Sequence, residues 1–70
     1  MKITYDAQVD VLRILLSDVP VDESDEDRAG VIVDYDDTGN IVGIEILDAA
    51  KRGLSPHNVE YAITGLHDMS

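Results

Sequence analysis

The sequence predicts an α+β fold: a small antiparallel β-sheet, built from two similar hairpins and covered on its apolar face by a C-terminal α-helix. Apolar and polar residues alternate in VIVDYD and IVGIEIL, which is the period-two pattern of strands with one buried face. The segment LSPHNVEYAITGL instead carries the signals of a helix start. A chain of 70 residues is expected to form one domain over residues 1–70.

The second hairpin is expected over residues 31–48, and its register follows from the alternation. Six apolar side chains share one face if the strands pair as Tyr35–Val42, Val33–Ile44 and Val31–Ile46. A shift by one residue would set this row against Gly43 and Glu45, so a single register is favoured. The connection then spans residues 37–40, where Gly39 and Asn40 readily adopt positive φ.

The first hairpin, expected over residues 2–17, follows the same pattern, pairing Tyr5 with Leu12 and Ile3 with Ile14. The two hairpins align at a constant offset of 30 residues, with matches at Tyr5 and Tyr35, Asp6 and Asp36, Ile14 and Ile44, and Asp18 and Asp48. This similarity predicts an internal repeat, two copies of one hairpin unit. Whether the two hairpins share one sheet stays open at this point.

The segment over residues 18–30 is strongly acidic, with five acids within six positions: Asp22, Glu23, Asp25, Glu26 and Asp27. Such a run repels itself and predicts a mobile loop. A loop of this charge favours docking of a small basic protein. The alternative is a solvated surface that confers solubility or adaptation to salt.

The stretch DYDDTGNIVGIE matches the calcium-loop template at most positions, with Thr38 as the departure. Its flanks alternate as strands, whereas an EF-hand needs helices on both sides, so we interpret it as a β-hairpin. The same pattern leaves a weaker alternative, a loose divalent-cation site formed by Asp34, Asp36, Asp37 and Glu45.

The C-terminal helix is expected over residues 56–65, beyond a short turn at DAAKRG that Gly53 ends. Ser55 suits the N-cap and Pro56 the first helical position. The apolar stripe of this helix would consist of Val59, Ala62, Ile63 and Leu66. Gly65 would end the helix, and residues 67–70 would fray. His57 and His67 are predicted to be surface histidines.

Composition restricts the function. The formal net charge of −10 repels phosphate backbones and anionic lipids, so we expect neither nucleic-acid nor membrane partners. The absence of cysteine fits a cytoplasmic protein, and no apolar run approaches the ~20 residues of a membrane helix. No nucleophile constellation or glycine-rich phosphate loop is visible, so we expect a protein that is not an enzyme and needs no cofactor.

The outer face of the predicted sheet mixes aliphatic and charged residues. Its aliphatic members are Val11, Leu15, Ile32 and Leu47, and its charged members are Arg13, Asp34 and Glu45. In so short a chain this mixture predicts a homodimer formed by sheet packing or edge pairing. Arg13, Asp34 and Glu45 are therefore candidate partner-binding residues, together with the five acids of the acidic segment.

These segments resemble a family of small prokaryotic proteins, the domain of unknown function 2283 (DUF2283). The resemblance lies in KITYD, in the Asp-led strand over residues 10–16, and in the VIVDYD…GNIVGIEIL block over residues 31–47. Arg13 departs from the pattern, in which an aromatic residue is common. The resemblance implies no established activity; genes of some members lie beside those of small toxin-like proteins, which implies an antitoxin-like role.

Three hypotheses follow. The first is a non-catalytic protein-interaction module, antitoxin-like toward a basic partner. The second is a cation or small-ligand domain on the Asp34, Asp36, Asp37 and Glu45 face. The third is a purely structural homodimer.

Overall fold

A single antiparallel β-sheet of five strands forms the fold in the computed structural model, which describes residues 1–66. The strands are β1 (Lys2–Asp6), β2 (Val11–Leu15), β3 (Glu23–Arg28), β4 (Val31–Tyr35) and β5 (Ile41–Leu47). Their order in the sheet is β1-β2-β5-β4-β3. The two hairpins therefore share one sheet, in which β2 lies beside β5. The expectation for residues 67–70, His67 included, lies outside the described residues.

The predicted α+β class and the C-terminal helix are wrong, because residues 1–66 contain five strands and no helix. Ser55 accepts a backbone hydrogen bond from Asn58 at 3.0 Å, so the start signals produce one turn only. A helix of about ten residues is marginal unless its apolar stripe packs against the protein. That stripe is exposed here: Val59, Ile63 and Leu66 retain 53%, 60% and 58% of their accessible surface.

Residues 23–28 of the acidic segment form an edge strand, not the mobile loop that their charge predicted. β3 pairs with β4, with Glu23 opposite Tyr35 and Asp25 opposite Val33. Asp22 N–H extends the pairing by donating to the Tyr35 carbonyl at 2.8 Å. The free edge of β4 offers unpaired backbone groups, and their hydrogen bonds offset the poor strand propensity of the acids.

The internal repeat appears in the sheet as an approximate two-fold arrangement. Ile14 pairs with its repeat equivalent, Ile44, at the junction of β2 and β5. The pairs on either side, Arg13–Glu45 and Leu15–Gly43, exchange under the 30-residue offset. Each copy also begins its turn in the same way, because an aspartate accepts a backbone N–H two residues on: Gln8 to Asp6 at 3.0 Å and Thr38 to Asp36 at 2.9 Å.

The predicted registers hold over most of both hairpins. Tyr5–Leu12, Ile3–Ile14, Val33–Ile44 and Val31–Ile46 all pair as expected. The predicted pair of Tyr35 with Val42 is wrong, because an irregularity after Asp34 pairs Tyr35 with Ile41. A bulge of this kind adds a residue to one strand and bends it. Alternation alone does not locate such an insertion.

The segment after β5 ties the sheet together at one end. Arg52 Nε donates to the Leu47 carbonyl at 2.8 Å, and Arg52 Nη2 donates to the Ala29 carbonyl in the β3–β4 turn. Gly30 lies directly against this guanidinium group, where a larger residue would collide with it. One planar side chain therefore holds the end of β5 and the neighbouring turn in a fixed relation.

We expect Arg52→Lys to lower the free energy of unfolding by about 1 kcal/mol, because a single ammonium group does not reproduce the fork that reaches both carbonyls. Urea unfolding measures the difference. The matched control is Lys51→Ala, whose ion pair with Asp48 spans 3.7 Å between exposed groups and contributes little. Equal stability of Arg52→Lys and the wild type would contradict the assigned role.

Few side chains are fully buried in this thin sheet. The buried hydrophobic residues among those described are Val42 and Ala49, with 2% and 0% of their surface exposed. The overall extents are 43 × 32 × 18 Å, and the smallest of them leaves room for one sheet and its side chains. No helix in the described part of the chain is long and apolar enough to cross a membrane.

Candidate functional site

An apolar face covers one side of the sheet. Two rows of register partners form it, Ile3–Ile14–Ile44–Val33 and Tyr5–Leu12–Ile46–Val31. Seven of these side chains are half-buried and Ile3 is 43% exposed. An antiparallel sheet usually buries one such face against a second layer. Within residues 1–66 no helix or second sheet supplies that layer.

An acidic rim borders the apolar face along β3. Asp25 pairs with Val33 and so extends the first apolar row outward, while Glu23 pairs with Tyr35 on the same face. The second row is extended by Arg28, which pairs with Val31, so the rim carries one base at that end. Every residue of β3 is exposed. Because β3 is an edge strand, its outer backbone groups and its acids are accessible together.

Net charge is distributed unequally between the two edges. The β1–β2 hairpin is electrically neutral, since Lys2 and Arg13 balance Asp6 and Asp10. The whole formal net charge of −10 therefore belongs to residues outside this hairpin. The edge at β3 carries four acids and one base within the strand. The molecule is thus neutral at one edge and acidic at the opposite one.

Asp34 is a buried carboxylate on the face opposite the apolar rows. Only 3% of its surface is exposed, and its Oδ1 accepts a hydrogen bond from Ser24 Oγ at 2.6 Å. Its Oδ2 is buried without a hydrogen-bond partner. The carboxylate lies over Gly43, its register partner, where a Cβ atom would stand 3.0 Å from Oδ2. The missing side chain of Gly43 provides the space for Asp34.

The predicted partner-binding residues divide between the two faces. Glu23 and Asp25 lie on the side of the apolar rows, whereas Glu26, Glu45 and Arg13 follow one row of the opposite face. Glu26 additionally accepts a hydrogen bond from Gly30 N–H at 3.1 Å. Asp27 falls at the irregularity between Glu26 and Arg28. The structure therefore does not bring all the predicted residues into one surface.

The four carboxylates of the predicted cation site occupy different environments. Asp36 closes the β4–β5 turn, where its Oδ1 accepts from Asn40 N–H, Thr38 N–H and Thr38 Oγ1, each at 2.9 Å. The Asn40 backbone donor, followed by the Thr38 groups, holds the pKa of Asp36 below its ordinary value. Asp37 is exposed in the turn and Glu45 lies in mid-strand. Among residues 1–66, no three acidic or histidine side chains are placed to hold a metal ion.

Sequence reasoning missed the role of Asp10, which joins the first hairpin to the segment after β5. Its carboxylate accepts hydrogen bonds from the Tyr5 hydroxyl and from Ala50 N–H, both at 2.8 Å. Its backbone carbonyl accepts from Ala49 N–H at 3.1 Å. The only local signal is an acid in a turn, while the donors at 49 and 50 are about forty residues away in sequence.

Comparison with known proteins agrees with the resemblance noted from the sequence. A family model described as "Protein of unknown function (DUF2283)" matches residues 2–49, which include all five strands. No curated protein and no solved structure matches the chain. The matched region ends before the exposed C-terminal segment begins.

Proposed function

We propose that this chain, which belongs to the DUF2283 family, is a non-catalytic protein-interaction module that binds a small basic protein across its apolar face and acidic rim. The observation that carries the proposal is the apolar face, which lacks a second layer within residues 1–66. Inhibition of a basic toxin, as by an antitoxin, is the specific form of this activity that we favour.

The half-buried rows of the apolar face supply free energy for binding a partner. Removing apolar surface from water contributes about 25 cal/mol per Å². A partner that completes the burial of the eight side chains in the two rows therefore gains free energy without rearranging the sheet. Sheets of this size depend on a packed apolar face for stability.

The charges beside the apolar face specify the chemistry of the partner. Glu23 and Asp25 border the apolar face directly, so a partner with an apolar centre and lysine or arginine at its margin matches both features. The net charge of −10 accelerates encounter with such a partner and disfavours acidic ones.

Three carboxylates that are engaged in holding the fold support a binding role over catalysis. Asp36 and Asp10 each accept hydrogen bonds from two backbone N–H groups. Asp34 is buried beneath the surface. These three acids hold the fold, whereas Glu23 and Asp25 of β3 are exposed and available for contact with other molecules. The cytoplasmic location and the loose cation site remain predictions.

The test is affinity purification of the tagged full chain from its native host at low ionic strength, followed by titration with the recovered protein. We expect a stoichiometric small basic protein. The double variant Glu23→Gln/Asp25→Asn should bind this basic protein about tenfold more weakly than the wild type at low salt. The difference should be smaller at high salt, because salt screens exposed charges.

The matched control is Asp48→Asn/Glu60→Gln, which changes the net charge equally but away from β3. This variant should retain nearly wild-type affinity. Recovery of the bait alone would contradict the proposal, and so would equal weakening by both variants, since the second result would reflect net charge and not the acidic rim.

A further inference from the structure

The C-terminal segment over residues 54–66, termed the C-terminal arm, is unusually apolar for an exposed segment. Val59, Tyr61 and Ile63 expose 53%, 77% and 60% of their surfaces. They stand at alternate positions, so in an extended chain they point to one side. The described structure assigns no strand or helix to the arm. The family match ends at residue 49, so the arm lies outside the shared hairpins.

The arm passes beside β1, which is an open edge strand. The His57 ring packs edge-on against Tyr5, with 5.3 Å between ring centroids and an interplanar angle of 81°. Tyr61 lines a surface depression together with Met1 and Ile3. The arm therefore runs antiparallel to β1, close to an edge whose outer backbone groups have no strand beside them in residues 1–66.

We propose that two copies of this chain exchange their C-terminal arms, so that residues 58–64 of each add as a strand to the free edge of β1 in the other. Val59, Tyr61 and Ile63 would then lie beside Ile3 and Tyr5 of the second copy and extend its apolar face. The backbone groups of arm and edge strand would pair with each other.

The charges favour a second copy of the chain at this edge. The β1–β2 hairpin is neutral, and the described arm contains one acid, Glu60. Two copies that meet at their β1 edges keep their acidic β3 edges at the far ends of the dimer, where repulsion between them is weakest. The contact is also reciprocal, as a two-fold dimer requires, because arm and edge occur once in each copy.

A crosslinking experiment tests the exchange directly, because the chain has no cysteine. Thr4 and Ala62 are exposed and would face the same side of the extended sheet. We expect an equimolar mixture of Thr4→Cys and Ala62→Cys proteins to form the mixed disulfide dimer under mild oxidation. The proposal would be overturned by two results together. The single variants would give no mixed dimer, and the double variant Thr4→Cys/Ala62→Cys would give only a monomer with an internal crosslink.

Sedimentation equilibrium of the full chain gives a second readout. Val59→Ser/Ile63→Ser should raise the dimer dissociation constant at least about tenfold, whereas Ala62→Ser/Thr64→Ser, on the other side of the arm, should leave it within about threefold. A wild-type protein that stays monomeric at millimolar concentration would also overturn the exchange. Neither experiment contains a basic partner, so these results are independent of the proposed function.

Discussion

Replacing Asp10 with alanine is expected to lower the melting temperature by several degrees at neutral pH. One carboxylate holds the first turn to the segment after β5, through the Tyr5 hydroxyl and the N–H groups of Ala50 and Lys51. Removal leaves these donors without their acceptor. Differential scanning calorimetry measures the loss, with Asp18→Ala as a control acid outside this network.

Asp10 also adopts φ 57°, so backbone strain could contribute to the stability loss of Asp10→Ala. The pH dependence of that loss separates such strain from the loss of the carboxylate's hydrogen bonds. Hydrogen bonds from Ala50 N–H and then from Tyr5 hold the pKa of Asp10 below its ordinary value of 3.8. A lowered pKa stabilises the fold fully above the ordinary value, and this contribution disappears as the pH falls through the folded-state pKa. The deficit of Asp10→Ala should therefore shrink below about pH 4. A deficit that stays constant down to pH 2 would indicate strain alone.

Tyr5 provides the alkaline counterpart. The hydrogen bond to Asp10 raises the pKa of the Tyr5 hydroxyl above its ordinary value of 10.0, because Tyr5 can donate this bond only while it is protonated. That contribution is complete below the ordinary value and is lost as the pH rises through the folded-state pKa. Tyr5→Phe, which retains the ring against His57, should abolish this alkaline loss.

Replacing Gly43 with alanine is expected to lower the free energy of unfolding by about 1–3 kcal/mol, as overpacking does. The new Cβ would stand 3.0 Å from Asp34 Oδ2 and 3.5 Å from the Ile14 carbonyl oxygen. Asp34 has little room to withdraw, because it is buried and held by Ser24. Urea unfolding at neutral pH measures the effect.

A double-mutant cycle identifies the collision. In an Asp34→Ala background the carboxylate is absent, so Gly43→Ala should cost much less, with a coupling energy of about 1 kcal/mol or more. Gly39→Ala serves as the control, since a Cβ there meets nothing within 4 Å and any cost comes from its φ of 86°. Gly39→Ala and Asp34→Ala should be additive; coupling as large as that of Gly43 would contradict the assignment.

Alternation predicted the two hairpins and most of their registers, because a one-residue slip would move every apolar side chain to the wrong face. It also predicted the repeat, which the sheet displays as the Ile14–Ile44 pair. For the candidate site, the same alternation predicted that Asp34 and Glu45 lie on the sheet face opposite the apolar rows, as the register shows. These features depend on neighbours along the chain or on a single hairpin, so local pattern was sufficient.

Tertiary structure decided the rest. The pairing of β2 with β5 and the addition of β3 depend on which backbone edges remain open, and no side-chain pattern in the acidic segment reports that. Residues 56–65 carry helix signals, but their apolar stripe is not packed against the sheet, and beyond one turn no helix forms there. The contacts of Asp10 and Arg52 join segments distant in sequence, and their donors and acceptors meet only once the sheet has assembled.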